Sequence, residues 1–214
     1  MTVTATSSNP ALLANPVPVT GTGTNRTIAI APLADTNGKA ILTLVAEDDR
    51  GAQTTNTMTV TVTAVNDAPS FSLTTNLVTV VEDAPEQKVT GFATNLRRGP
   101  ADESGQTLAF AVTNSNPALF VTKPAIDPSG TLSFRTAASA TGSVTLTVVL
   151  KDNGGTASGG TNQSAPQTFQ IDVTPINDPP LIKLVSNLSI LEDHSTNVPL
   201  TVIDLDTPIA DVPV

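Results

Sequence analysis

The chain has 214 residues with no Cys, Trp or Tyr and only six Phe, so its core must be aliphatic, and a disulfide scaffold or cysteine-based metal site is excluded. Ten Lys and Arg against nineteen Asp and Glu give a net charge of -9, and Arg97-Arg98 is the only basic cluster. That excludes the phosphate neutralisation nucleic acids require and makes cations the natural partners of the acids.

Seventeen Pro and thirteen Gly, with abundant Val and Thr, favour strands and turns over helix. No run of about 18 apolar residues is present to span a bilayer, and the opening MTVTATSS lacks the basic start and apolar stretch of a signal peptide.

In chain order, the first marked element is Ser8-Asn9-Pro10-Ala11-Leu12-Leu13, followed by the turn signal Thr-Gly-Thr-Gly-Thr-Asn ending at Asn25. A strand over Ala40–Val45 runs into the acidic turn at Asp48, and a second alternating strand from Met58 ends in Asn66-Asp67-Ala68-Pro69. The stretch from Asn76 to Glu82-Asp83 is a third element. Ser115-Asn116-Pro117-Ala118-Leu119-Phe120 then repeats the first at an offset of 107, and Asp127-Pro128-Ser129-Gly130 marks a turn.

The strand Ser143–Leu150 again reaches an acidic turn, at Asp152. The glycine-rich stretch to Thr161 has neither the Lys-Ser/Thr ending nor the following helix of a phosphate cradle and reads as a long flexible hairpin loop. Phe169–Ile176 ends in Asn177-Asp178-Pro179-Pro180, and Asn187 to Glu192-Asp193 copies the element at Asn76, with a period of 110 to 111 residues.

Period-2 alternation bounded by turn signals predicts an all-β fold. Tandem immunoglobulin-like Greek-key sandwiches, with about seven strands per period, account for it. One repeat is complete and two are partial: 1–66 carries later strands, 67–178 a whole repeat, and 179–214 opening strands. The two partial pieces are complementary. This leaves two expectations: a segment cut from a longer array, or a head-to-tail filament in which residues 1–66 of a neighbouring chain complete 179–214.

The linker Val65-Asn66-Asp67-Ala68-Pro69, the strand ending Val81-Glu82-Asp83, the turn Val45–Gly51 and the stretch Val202-Ile203-Asp204-Leu205-Asp206 resemble the motifs of cadherin repeats. More closely, the chain is similar throughout to cadherin-like tandem repeats of large bacterial surface and adhesin-type proteins. The resemblance implies a non-catalytic, extracellular, calcium-rigidified stalk or fibre at the cell surface. Its partners would be neighbouring repeats or identical chains, with a cell-surface or matrix ligand. It also implies Ca2+ held between consecutive domains, and calcium takes six to eight hard oxygens, so carboxylates from separate loops must converge.

Carried over residue by residue, the second junction would use Glu82, Asn177, Asp178, Asp204 and Asp206, with Asp48 of a neighbouring molecule in the matching remaining position. Glu192 is the counterpart of Glu82. The first junction has Asn66, Asp67 and Asp152, but Gly91-Phe92-Ala93-Thr94-Asn95 stands where the family has Asp-x-Asp, and Asp102-Glu103 lies nearby in an insertion as a substitute. Asp35, Asp127 and Asp172 read as ordinary turn and edge acids.

His194 is the only histidine. Beside Ser189 or Ser195 it would be strand-local with no oxyanion-hole loop, so no enzyme is expected. A carbohydrate-binding module is the alternative binding function, although such modules usually present exposed aromatic platforms.

Overall fold

The computed structural model describes residues 1–183 and 186–204, so the candidate ligand Asp206 lies outside the described residues. The chain divides into two compact units. One comprises Met1–Phe71, Asn95–Ala109 and Leu150–Ala165, and the other Ser72–Thr94, Phe110–Val149 and Pro166–Val214.

The first unit opens with β1 (Thr2–Ser7), the short pair β2 (Val19–Thr20) and β3 (Thr27–Ile28), then β4 (Gly38–Glu47) and β5 (Gln53–Val62). Alternating Val, Leu and Thr favour a pleated, half-buried surface, and β4 and β5 pair antiparallel along their whole length, from Gly38 opposite Val62 to Glu47 opposite Gln53. Strand β1 adds to the other side of β4, giving the order β1-β4-β5. Ala5, Leu12, Leu13, Val17, Ala40 and Leu42 form the core, with Val60 and Val62 of β5 half-buried against it. Each fully buried Leu contributes about 1.5–3 kcal/mol relative to exposure.

The following strands are β6 (Ser70–Leu73), β7 (Leu77–Val81), β8 (Gln87–Val89), β9 (Ala93–Arg97), β10 (Leu108–Asn114), β11 (Phe120–Ile126), β12 (Leu132–Thr136), β13 (Gly142–Asp152) and β14 (Gln167–Thr174). One sheet has the order β10-β13-β14-β7, the other β11-β12-β8, and β6 pairs with β9. Taking β6 with β7 and β8 with β9 as interrupted strands gives the seven of a Greek-key sandwich. Strand β7 runs parallel to β14, with Leu77 opposite Gln170 and Val81 opposite Thr174.

Phe92, Phe134, Phe169, Leu146 and Ile171 are fully buried in the second unit. The Phe92 and Phe169 rings meet edge to face at 4.7 Å, and Phe120 and Phe134 at 5.9 Å. Such pairs add about 0.5–1.5 kcal/mol beyond burial.

The sequence repeat is visible in backbone detail. Leu12-Leu13 and Leu119-Phe120 are all buried. Gly38 and Gly142 open matching strands at φ 130° and 118°, and Asp83 and Asp193 both take positive φ, 56° and 61°. The third copy differs in one respect. Among the described residues, only β15 (Leu181–Ile182) and β16 (Val202–Ile203) pair there, and residues 187–192 form no strand. Their counterpart β7 is held by the ladder to β14, and an isolated strand without such a partner is not stable in water.

Candidate functional site

The junction after β5 lies within the first unit and draws on three segments: the linker residues Asn66 and Asp67, the loop 98–107, and Asp152 with the glycine-rich loop behind it. Asn66 grips that loop. The Thr161 N–H donates to the Asn66 carbonyl at 2.8 Å, and Asn66 Nδ2 donates to the Thr161 carbonyl at 2.7 Å. Asn66 Nδ2 also donates to Asp152 Oδ1 at 3.1 Å, where the Gly154 N–H arrives at 2.9 Å. The loop expected to be a flexible hairpin is thus fastened to the linker, with a further bridge between Lys151 and Gln163.

Glu103 enters from the insertion. Pro100, extended at φ -61° and ψ 177°, starts a 3-10 turn over Ala101–Glu103. The Glu103 N–H donates to the Pro100 carbonyl at 3.1 Å, and the Gln106 N–H to the Glu103 carbonyl at 3.0 Å. The turn buries the Glu103 side chain, whose Oε1 accepts the Asp67 N–H at 2.8 Å. Gln106 Nε2 donates to Asn66 Oδ1 at 2.6 Å. Two glycines leave room here: a Cβ on Gly99 would lie 1.8 Å from Glu103 Oε2, and one on Gly154 would lie 1.6 Å from Asn66 Oδ1.

Glu103 and Asp152 are 7% and 8% exposed, yet Glu103 Oε2, Asp152 Oδ2 and Gln106 Oε1 have no hydrogen-bond partner. Removing a carboxylate from water costs several kcal/mol unless it is paired. The chemistry of this donor set fits calcium, a hard cation that accepts carboxylate and amide oxygens alike. Among the described residues no three Asp, Glu, His or Cys side chains converge as a metal cluster, so the set is two carboxylates supplemented by amides. A cleft of about 150 Å³ is lined by Asn66, Asp102, Glu103, Gln106 and Gly154.

At the second junction, within the other unit, Glu82 directly follows β7 and is 2% exposed. Its N–H donates to the Thr174 carbonyl at 3.0 Å, and its Oε1 accepts the Ile176 N–H at 2.9 Å, one residue before Asn177. Asn177 is exposed and donates to the Asp178 carbonyl at 3.2 Å, while Asp178 and Asp204 are half-buried. Glu192 is exposed, and its carbonyl lies 2.9 Å from His194 Nδ1 in a turn.

Asp48 caps its own hairpin, with Oδ1 accepting the Arg50 and Ala52 N–H groups at 2.8 and 2.9 Å. Asp127 does the same for Ser129 and Thr131 at 2.9 and 3.0 Å. Sequence reasoning named Asn66, Asp67 and Asp152 together and set Glu103 beside them. Gln106 was missed, and a polar loop offers no signal that one of its Gln side chains turns inward.

The fold defines a cadherin-like β-sandwich protein. No family model matches the chain, and no curated protein does. Among solved structures it is similar to human protocadherin-24 EC1-2, with a TM-score of 0.53, 21% identity, and 80% of this chain and 82% of that one covered. Mouse protocadherin-24 EC1-3 aligns over 96% of this chain and 67% of its own at 18% identity and a TM-score of 0.49. Chicken VE-cadherin EC1-2 aligns over 80% and 84% at 18% identity and 0.38.

Proposed function

We propose that the chain is a non-catalytic segment of an extracellular cadherin-like repeat array, with the boundaries 1–66, 67–178 and 179–214, in which calcium at the junctions sets stiffness. The observation that carries this reading is the pair of buried carboxylates, Glu103 and Asp152, each with one oxygen that has no hydrogen-bond partner. Calcium bound there would be held by these two with help from Asn66, Asp67 and Gln106. It would supply the partner that the second oxygen of each carboxylate lacks. Glu82, Asn177, Asp178, Asp204 and Asp206 form the corresponding set at the second junction.

The chain's own residues contribute the remaining order: Asn66 ties the linker to the loop behind Asp152, and Glu103 ties it to the insertion. Stiffness and length, in a surface protein of bacterial adhesin type, are then the function. Five Phe are buried and Phe110 is half-buried, so the carbohydrate-binding alternative has no aromatic platform behind it.

Scanning calorimetry in calcium and in chelator tests the reading. A ligand at a hundred times its Kd stabilises by about 2.7 kcal/mol. Identical melts in the two buffers would overturn it.

A second reading, head-to-tail assembly, is favoured by two observations. Among the described residues strand β5 is the edge of its sheet, whereas its counterpart β14 carries β7. Residues 187–192 repeat the β7 pattern with Leu188 and Ile190 exposed at 57% and 56%. In that reading this segment of one copy adds parallel to β5 of a second. Light scattering across a concentration series tests it, and a monomer at every concentration would refute it.

A further inference from the structure

We propose that Glu103 and Gln106, in the insertion between β9 and β10, are direct ligands of one divalent cation of calcium type, together with Asp152. This assignment rests on the calcium reading above and places a site where the sequence pattern leaves a gap. Phe92 and Ala93, at the position of the absent Asp-x-Asp, are 0% and 2% exposed and belong to the apolar core, so neither supplies a charged ligand.

The insertion compensates. Its 3-10 turn delivers Glu103 more than nine-tenths buried, with Oε1 anchored on the Asp67 N–H and Oε2 left with no donor. Gln106, anchored through Nε2 on Asn66, leaves its own Oε1 without a donor. Asp152 repeats the arrangement, one oxygen engaged by Asn66 and Gly154 and the other unsatisfied.

In all three side chains the protein satisfies one polar atom and leaves one oxygen over. Burial separates Glu103 and Asp152 from acids used for turns: Asp48 and Asp127 likewise engage one oxygen, on two local N–H groups each, but in exposed hairpins where water reaches the carboxylate. The glycine at Gly99, at φ 147°, keeps clear the space that a Cβ would take from Glu103 Oε2. A cleft of about 150 Å³ lined by Glu103, Gln106 and Asn66 lies beside the set, and waters there would add to the six to eight ligands calcium takes.

The test is isothermal calcium titration of the full chain and of three variants: Glu103→Gln, Gln106→Ala and Glu82→Gln. Calcium affinity follows the charge count of its ligands, so Glu103→Gln loses one binding event or weakens it by about tenfold or more. Gln106→Ala weakens the same event less, and Glu82→Gln leaves it intact. Because Glu103→Gln removes a buried charge, it melts at or above the unaltered chain in chelator and below it in calcium.

Wild-type stoichiometry and affinity in both Glu103→Gln and Gln106→Ala would overturn the assignment. If Glu82→Gln alone lost calcium, this assignment would fail and the array reading would stand. If the unaltered chain took up no calcium, both would fall. Should Glu103→Gln not fold, Gln106→Ala decides.

Discussion

Gly154→Ala probes the first junction without removing a charged group. A Cβ there would sit 1.6 Å from Asn66 Oδ1 and 2.5 Å from Gln106 Nε2. Both are side-chain atoms, so the cost is the bonds they must abandon. Displacing Asn66 breaks its hydrogen bond from Gln106 and the one it donates to Asp152. A neutral bond contributes about 0.5–1.5 kcal/mol and one to a charged group about 1.5–3, so the loss is about 2–4 kcal/mol. For a unit of about 100 residues that lowers Tm by roughly 10 °C or more. The control is Gly105→Ala, where an added Cβ meets nothing within 4 Å and φ is not positive, and it should fall within about 0.5 kcal/mol of the original. Calorimetry of the two variants side by side is the assay. Indistinguishable melts would show that Asn66 is not held as argued.

Three other predictions follow from separate parts of the molecule. Phe169→Ala removes a ring that is 2% exposed and stacked edge to face on Phe92; a loss of about 3–5 kcal/mol is expected in urea unfolding, and less than about 1 kcal/mol would contradict the core described. The Asp127 carboxyl is held below its ordinary value first by the Ser129 hydroxyl and then by the Thr131 N–H. Its depressed folded-state pKa means that its contribution is present above the unfolded-state value and lost as pH falls through the folded-state value. Carbon-detected NMR should place the Asp127 midpoint below an ordinary Asp, Ser129→Ala should raise it, and no change in that variant would refute the attribution. Finally, Ile190→Asp should abolish any concentration-dependent association seen by light scattering, and association that survives it would remove residues 187–192 as the exchanged strand.

The all-β class was legible because β5 and β14 alternate and β4 and β13 do so over part of their length, each followed by a turn or linker rich in Asn and Asp. Asp48 and Asp152 show the limit. The two occupy matching ends of β4 and β13 and follow similar runs, yet Asp48 caps an exposed hairpin while Asp152 is buried. The difference is made by the loop after Asp152, which folds onto Asn66, a residue 86 positions earlier in sequence. Glu103 was equally opaque. Its segment Ala-Asp-Glu-Ser-Gly-Gln reads as solvated insertion, and only the bond from Asp67, 36 residues away, reveals that it turns inward. Local pattern reports which residues alternate, while burial of a polar side chain depends on contacts that lie far apart in sequence. The same limit applies to residues 187–192, whose pattern copies β7 and whose strand state depends on a ladder partner.

Equilibrium dialysis of the unaltered chain against buffered calcium tests the central claim most directly. The account predicts saturable uptake with a Kd between roughly 10⁻⁷ and 10⁻³ M, reversed by chelator, and reduced when Glu103 or Asp152 is made its amide. Calcium distributing equally across the membrane at every concentration would contradict it.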